Sequence, residues 1–321
     1  MTMKDVIHAE HLSKVYKLGM FVSRKVQALN DFSLSVTEGE IFGLIGPNGA
    51  GKSTSIKILL NLIQPTSGKA SLFGIDVADK RARQQVGFVP ENPAPHEYLS
   101  AEEYVQLQAV LAGHSSGEAK TLASKALDAV ELGAMRKVII RRYSKGMVQR
   151  AMLAGAIVAN PRLLILDEPT SGLDPLGRRL VRDLIIQQRK NGVTVLFCTH
   201  IISDVESLCD RVALLAKGQV VRAGAIVDIV KSGSAIVELI CEGKSPEVIT
   251  ATLVGLDATV ETSSNKVIIR LPEEKLQPAI QKLVAADAQI RRIQPHRFGL
   301  EDAFMSVVQS ANADTVGGVL Q

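Results

Sequence analysis

From Val6 to about Ala223, short apolar runs alternate with segments whose apolar residues recur at helical spacing, the rhythm of an α/β domain. Strands are predicted at Phe32 to Val36, Ile41 to Ile45, Val86 to Val89, Leu163 to Leu166, Val193 to Cys198, Val212 to Leu215 and Gln219 to Arg222. Several are unbroken apolar runs, which suits strands covered on both faces. Between Pro90 and Tyr143 the strand signal disappears. Glu102 to Leu111 and Gly117 to Leu132 read there as two amphipathic helices separated by Gly113-His114-Ser115-Ser116, a helical insertion into the α/β core.

The pattern changes near Lys231-Ser232-Gly233-Ser234, read as a linker. Beyond it come a strand (Ala235 to Cys241), a helix opened by Ser245-Pro246-Glu247, a strand near Ala258 to Glu261 and a turn at Ser263-Ser264-Asn265-Lys266. A strand (Val267 to Leu271), a helix (Pro272 to Ala285) and a strand (Gln289 to Gln294) complete a β-α-β-β-α-β order, the ferredoxin-like pattern. A last helix is expected from Leu300 to Gln309, with Leu300, Ala303, Phe304, Val307 and Val308 on one apolar face. The first domain is therefore placed at residues 1–231, with its helical subdomain at about 92–160, and a small α+β domain at 232–321.

Composition narrows the class. The 321 residues are 46% hydrophobic, ample for buried cores, yet no apolar run approaches the ~18–20 residues that span a bilayer. Met1-Thr2-Met3-Lys4-Asp5 leads at once into strand-like Val6-Ile7, which predicts cytoplasmic placement. Cys198, Cys209 and Cys241 are scattered without metal-ligand spacing and read as small buried hydrophobes. A net charge of +4, with only the pairs Arg141-Arg142 and Arg291-Arg292, predicts no nucleic-acid partner.

Candidate chemistry begins at Gly46-Pro47-Asn48-Gly49-Ala50-Gly51-Lys52-Ser53-Thr54, which fits the G-x-x-x-x-G-K-[ST] phosphate loop between a buried strand and a helix. The glycines let successive N–H groups curl around phosphate oxygens at the positive end of that helix. Lys52 is expected to neutralise the β- and γ-phosphates and the Ser53 hydroxyl to bind Mg²⁺. Leu163-Leu164-Ile165-Leu166-Asp167-Glu168 then ends a buried strand in two carboxylates: Asp167 for Mg²⁺, Glu168 to polarise the attacking water. Helix capping by this pair is a poor reading, since Pro169-Thr170-Ser171-Gly172 intervenes before Leu173-Asp174-Pro175 starts the next helix. The strand Val193 to Thr199 terminates in His200, a candidate γ-phosphate contact.

Between these regions lies Tyr143-Ser144-Lys145-Gly146-Met147-Val148-Gln149-Arg150, with a helix running on to Ala159 and stopped by Asn160-Pro161. With these residues in order, the chain from about Val6 to Ala223 resembles the ATP-binding subunit of an ATP-binding cassette (ABC) transporter. The resemblance implies a RecA-like P-loop NTPase fold. It makes Tyr16 the aromatic that stacks on adenine, Glu91 in Val86-Gly87-Phe88-Val89-Pro90-Glu91 the Q-loop residue beside Mg²⁺, and Tyr143 to Met147 the signature. Ser171 to Asp174 become the D-loop and His200 the switch histidine. Two departures stand out. The usual Leu-Ser-Gly-Gly-Gln signature is Tyr143-Ser144-Lys145-Gly146-Met147 here, and Glu91 replaces the usual glutamine. Both look like the branch that serves exporters, whose subunits also tend to close a small C-terminal domain with a helix like Leu300-Glu301-Asp302-Ala303-Phe304.

By the same resemblance, ATP and Mg²⁺ lie between Walker A of one protomer and Ser144, Gly146 and Asp174 of another. That implies a second copy or a homologous cassette as partner, and a separate transmembrane permease holding the chain on the cytoplasmic face of a membrane. Two other readings stay open: a soluble ABC ATPase acting on nucleic acid or ribosomes, and a scaffold that uses ATP only to dimerise. Only about 90 residues separate Lys52 from Ser144 and no heptads fill them, unlike the coiled coils of chromosome-type relatives.

Overall fold

The structure, a computed structural model, describes residues 4–18, 24–231, 236–263, 266–296 and 299–305. The chain divides into two compact units, the first ending at Ile226 and the second starting at Val227. Most of the expected linker, residues 232–234, lies outside the described residues, while Lys231 closes a short helix.

The first unit opens with β1 (Asp5–Leu18) and β2 (Arg24–Thr37), then β3 (Ile41–Ile45), α1 (Lys52–Leu59), β4 (Ser67–Leu72), β5 (Ile75–Asp76) and β6 (Val86–Val89). The helical insertion holds α2 (Ala101–Leu111), α3 (Ser116–Ala129) and α4 (Lys145–Ile157). Then follow β7 (Leu163–Asp167), α5 (Pro175–Lys190), β8 (Thr194–Thr199), α6 (Ile202–Leu208), β9 (Arg211–Ala216) and β10 (Gln219–Ala225), and α7 (Ile226–Lys231) runs from the last residue of this unit into the second. Two sheets result: an antiparallel one in the order β2-β1-β4-β5, and one in the order β10-β9-β3-β8-β7-β6 that is parallel except for β10. Every residue of β3, β7 and β8 is buried, which is why they read as continuous apolar runs. Because parallel strands point their carboxyl ends the same way, β3, β7 and β8 deliver Gly46, Glu168 and His200 to one edge of the sheet. Strand β4 gave little sequence signal, since only Ala70 and Leu72 of Ser67-Gly68-Lys69-Ala70-Ser71-Leu72 are buried.

Helix ends differ from the expected ones for local reasons. Helix α3 stops at Ala129 rather than Leu132, because Glu131 turns left-handed (φ 54°) and the Leu132 N–H closes on the Leu127 carbonyl. Helix α4 ends at Ile157, short of Ala159, with Asn160 left-handed at φ 48°. Helices α2 and α3 start in capping boxes, Ser100 with Glu103 and Ser115 with Glu118.

The second unit contains β11 (Ile236–Glu242), α8 (Pro246–Thr252), β12 (Thr259–Ser263), β13 (Lys266–Pro272), α9 (Leu276–Ala285) and β14 (Gln289–His296). Its four strands are all antiparallel in the order β12-β13-β11-β14, the ferredoxin-like arrangement. Leu239, Cys241, Ile249, Val267, Ile269 and Leu283 build a core of its own. Pro272 closes β13 opposite Ile236 instead of opening a helix, so α9 starts after a 3₁₀ turn at Glu273–Lys275. Residues 300–305 are helical with Leu300 and Ala303 buried, whereas Val307, Val308 and the rest of the expected final helix lie outside the described residues. No helix among the described residues is long and apolar enough to cross a membrane.

Candidate functional site

The loop between β3 and α1 is fixed by backbone that tolerates only glycine at two points. A Cβ at Gly46 would stand 2.6 Å from the Leu215 carbonyl oxygen, and Gly51, at φ 115°, would bring one to 2.6 Å from the Ala28 carbonyl. Gly51 occupies the N-cap of α1, so no side chain satisfies the first N–H groups of that helix, and no acidic residue stands in its first turn. Those donors and the positive helix end are left facing outward as an anion site. Lys52 is buried at the base of the loop, its Nζ donating to the Gly46 carbonyl at 2.6 Å and lying 3.5 Å from Glu168 Oε1.

Strand β7 brings the two carboxylates against this lysine. Asp167 ends the strand beside Cys198 of β8, and the next residue, Glu168, turns left-handed (φ 51°) while its N–H donates to the Cys198 carbonyl at 2.8 Å. That turn directs its side chain along the end of β8. Glu168 Oε2 accepts hydrogen bonds from the Thr199 hydroxyl at 3.2 Å and from His200 Nδ1 at 2.9 Å. Burial pushes the Asp167 carboxyl up; the Ser53 hydroxyl hydrogen-bonds it and opposes the rise, while the neighbouring charges of Glu91 and Glu168 add to it. Asp167 Oδ1 and Glu168 Oε1 are buried without a hydrogen-bond partner among the described residues. Glu168 Oε1 faces the Lys52 ammonium, so the open Asp167 oxygen beside the Ser53 hydroxyl is the hard oxygen donor that fits Mg²⁺.

A cavity of about 420 Å³ lies over this machinery, lined by Tyr16, Val26, Ala28, Pro47 to Thr54, Glu91 and Glu168. Tyr16 and Glu91, far apart in sequence, are thus brought to the phosphate loop. Gly46, Asp167 and His200 are absent from that lining, and reach it through the loop backbone, Ser53 and Glu168 respectively. Sequence reasoning missed Val26 and Ala28. Their signal was the hairpin register, which sets Val26 directly opposite Tyr16 and so puts both on one face. The Lys14 ammonium sits 5.3 Å from the centroid of the Tyr16 ring.

The signature builds a different cavity, of about 350 Å³, from residues that include Ser144, Gly146, Met147, Arg150, Gly172 and Asp174. It shares no lining residue with the phosphate-loop cavity. Ser144 is the N-cap of α4 and accepts from the Met147 N–H at 3.3 Å, leaving the start of α4 pointing into this second space. Asp174 caps α5, accepting from the Gly177 N–H at 2.8 Å. The structure therefore does not bring Ser144, Gly146 and Asp174 to the phosphate loop of their own chain.

Residues 29–171 match the family described as ABC transporter. An uncharacterized ABC transporter ATP-binding protein of Nostoc is 42% identical over 230 residues, covering 71% of this chain and 69% of the relative. A linearmycin resistance ATP-binding protein of Bacillus subtilis is 34% identical over 242 residues, 74% of this chain and 76% of the relative. Among solved structures, the dimer of an ATP-binding cassette in a post-hydrolysis state with ADP and phosphate is similar at TM-score 0.63 and 28% identity, covering 68% of this chain and 98% of that one.

Proposed function

Since this chain belongs to the ABC transporter family as an ATP-binding subunit, we propose that it hydrolyses MgATP at Glu168 to drive an exporter whose membrane-spanning part is a separate polypeptide. The observation that carries the reading is the Glu168 carboxylate, held by Thr199 and His200 on one oxygen and facing Lys52 with the other.

Each residue has a task that follows from its place. The N–H groups of residues 47–54 and the head of α1 take the phosphate oxygens, and Lys52 moves its ammonium from the Gly46 carbonyl to the β- and γ-phosphates. Tyr16, on the wall formed by β1 and β2, stacks on the adenine. Ser53, Asp167 and Glu91 would hold Mg²⁺, which supplies charge neutralisation between the phosphates. Glu168 orients a water for in-line attack and accepts its proton as the water oxygen bonds to the γ-phosphorus and the bond from that phosphorus to the β,γ-bridging oxygen breaks, releasing ADP and phosphate. His200, donating from Nδ1 to Glu168, fixes that carboxylate beside the γ-phosphate.

The donors missing from the phosphate-loop cavity are those at the start of α4. A partner chain arranged head to tail supplies them through Ser144 and Gly146, while its Asp174 holds the adjoining D-loop in shape. Closure around ATP and reopening after hydrolysis would be the stroke passed through the helical subdomain to the permease. The exporter direction draws support from the linearmycin resistance relative and from the Lys145, Met147 and Glu91 variants of the usual motifs. Phosphate release from MgATP by the purified chain tests the enzyme. Purification from mild detergent, with identification of the membrane polypeptide that accompanies the chain, tests the transport role. A chain that hydrolyses no ATP, alone or with that polypeptide, would overturn the reading.

A further inference from the structure

Asp204 is a buried carboxylate that the proposed mechanism leaves without a task. It stands in the first turn of α6, four residues after His200, and is 3% exposed. An acidic side chain there would ordinarily serve the N–H groups of its own helix, and α6 has no side-chain cap at Ile201. Asp204 instead reaches outward to two other elements. Its Oδ2 accepts from the Thr170 hydroxyl at 2.8 Å, and its Oδ1 accepts from Arg182 Nη2 of α5 at 3.3 Å. Thr170, 1% exposed, sits two residues after Glu168 and one before the D-loop.

The position of these groups gives the contact its meaning. Backbone bonds make the stretch from Glu168 to Leu173 a tight turn, with Ser171 N–H on the Glu168 carbonyl at 3.2 Å and Leu173 N–H on the Thr170 carbonyl at 3.3 Å. One end of that turn is tied to the end of β8 by Glu168 itself, through Cys198, Thr199 and His200. The other end has the Thr170 hydroxyl as its tie to the helix that follows His200. With both ties made, the turn cannot rotate about β7 without dragging α6. A hydrogen bond to a buried carboxylate is among the stronger ones, and losing it leaves Oδ2 of Asp204 without that donor while Arg182 stays on Oδ1.

We propose that Asp204 is a positioning residue, anchoring Thr170 so that the turn bearing Glu168 and the D-loop keeps one orientation toward His200. Arg182 holds the Asp204 carboxylate from the α5 side, so that movement of the D-loop and its following helix reaches the Glu168–His200 pair through a single buried carboxylate. The inference rests on the ATPase reading above, because its kinetic consequence needs Glu168 to act on water.

The test uses the full-length chain with Thr170→Val, which keeps volume and removes the hydroxyl, and Thr170→Ser, which restores it. Thr170→Val is expected to lower kcat on the order of 10- to 100-fold, the scale of a small misplacement of a reacting group. ATP affinity by calorimetry stays within about twofold of the unaltered chain, since the phosphate loop is untouched. Thr170→Ser and Asp204→Glu separate hydroxyl from packing: the serine recovers most of kcat, and the glutamate, one methylene too long, does not. A second readout needs no hydrolysis. Amide hydrogen exchange over residues 168–174 is expected to quicken in Thr170→Val while exchange in β3 and β8 stays as it was. Unchanged kcat in Thr170→Val, no recovery in Thr170→Ser, or a loss of kcat matched by an equal loss of ATP affinity would each overturn the role. So would unaltered exchange over 168–174. Absence of hydrolysis in the unaltered chain would instead strike the ATPase reading, and the exchange result would still decide on the anchor.

Discussion

Glu168 is the residue on which the proposed chemistry turns, because it pairs a left-handed backbone with a carboxylate gripped by Thr199 and His200. Glu168→Gln keeps the shape and removes the basicity, so MgATP still binds while phosphate release slows by at least ~100-fold, the size of a general-base contribution. A phosphate-release assay at saturating ATP checks it. Lys52→Ala removes the one buried ammonium among the loop residues, and calorimetry should show loss of ATP binding. Asp167 illustrates the cost of such a site. Burial lifts its carboxyl above the unfolded value, so the ionised form opposes folding at neutral pH. That penalty fades as pH falls through the lifted value, where the group is protonated in the fold. Asp167→Asn should therefore raise the melting temperature at pH 7, and the gain should shrink in acid; calorimetric scans across pH measure it. At this scale most of the site was legible, because phosphate binding demands glycine, lysine and hydroxyl at fixed spacing. What stayed hidden was the partner of each group. No periodicity announces that His200 donates to Glu168 or that Thr170 donates to Asp204.

Among elements, the buried strands were read well because residues covered on both faces must be apolar, and β3, β7 and β8 leave no other choice. Strands β4 and β5 were missed for the opposite reason, since they lie in an antiparallel sheet whose exposed positions carry serine, glycine, lysine and aspartate. Helix ends slipped where a left-handed residue other than glycine stops the helix, as at Glu131 and Asn160. The start of α4 is the element with most at stake, since Ser144 both caps it and faces the second cavity. Ser144→Ala should cost about 0.5–2 kcal/mol of stability through loss of the cap, a small drop in urea-denaturation midpoint. Its effect on hydrolysis should be far larger than that drop if, as proposed, the lost hydroxyl also belongs to the donors offered to a partner's nucleotide.

For the whole molecule, the order of motifs was plain in the sequence, whereas their separation into two cavities was anticipated only through the family resemblance, since linear order by itself says nothing of which side of the sheet a loop serves. The phosphate loop and the signature share no lining residue within one chain. On the proposed reading, two chains placed head to tail would complete both at once, with ATP as the bridge. Sedimentation velocity of the Glu168→Gln chain, run with and without MgATP, tests this most directly because the bridging nucleotide then persists. The account predicts a single-chain mass without nucleotide, twice that mass with MgATP, and failure to double when Ser144→Ala is added. An ATP-saturated Glu168→Gln chain that remains at single-chain mass would contradict it.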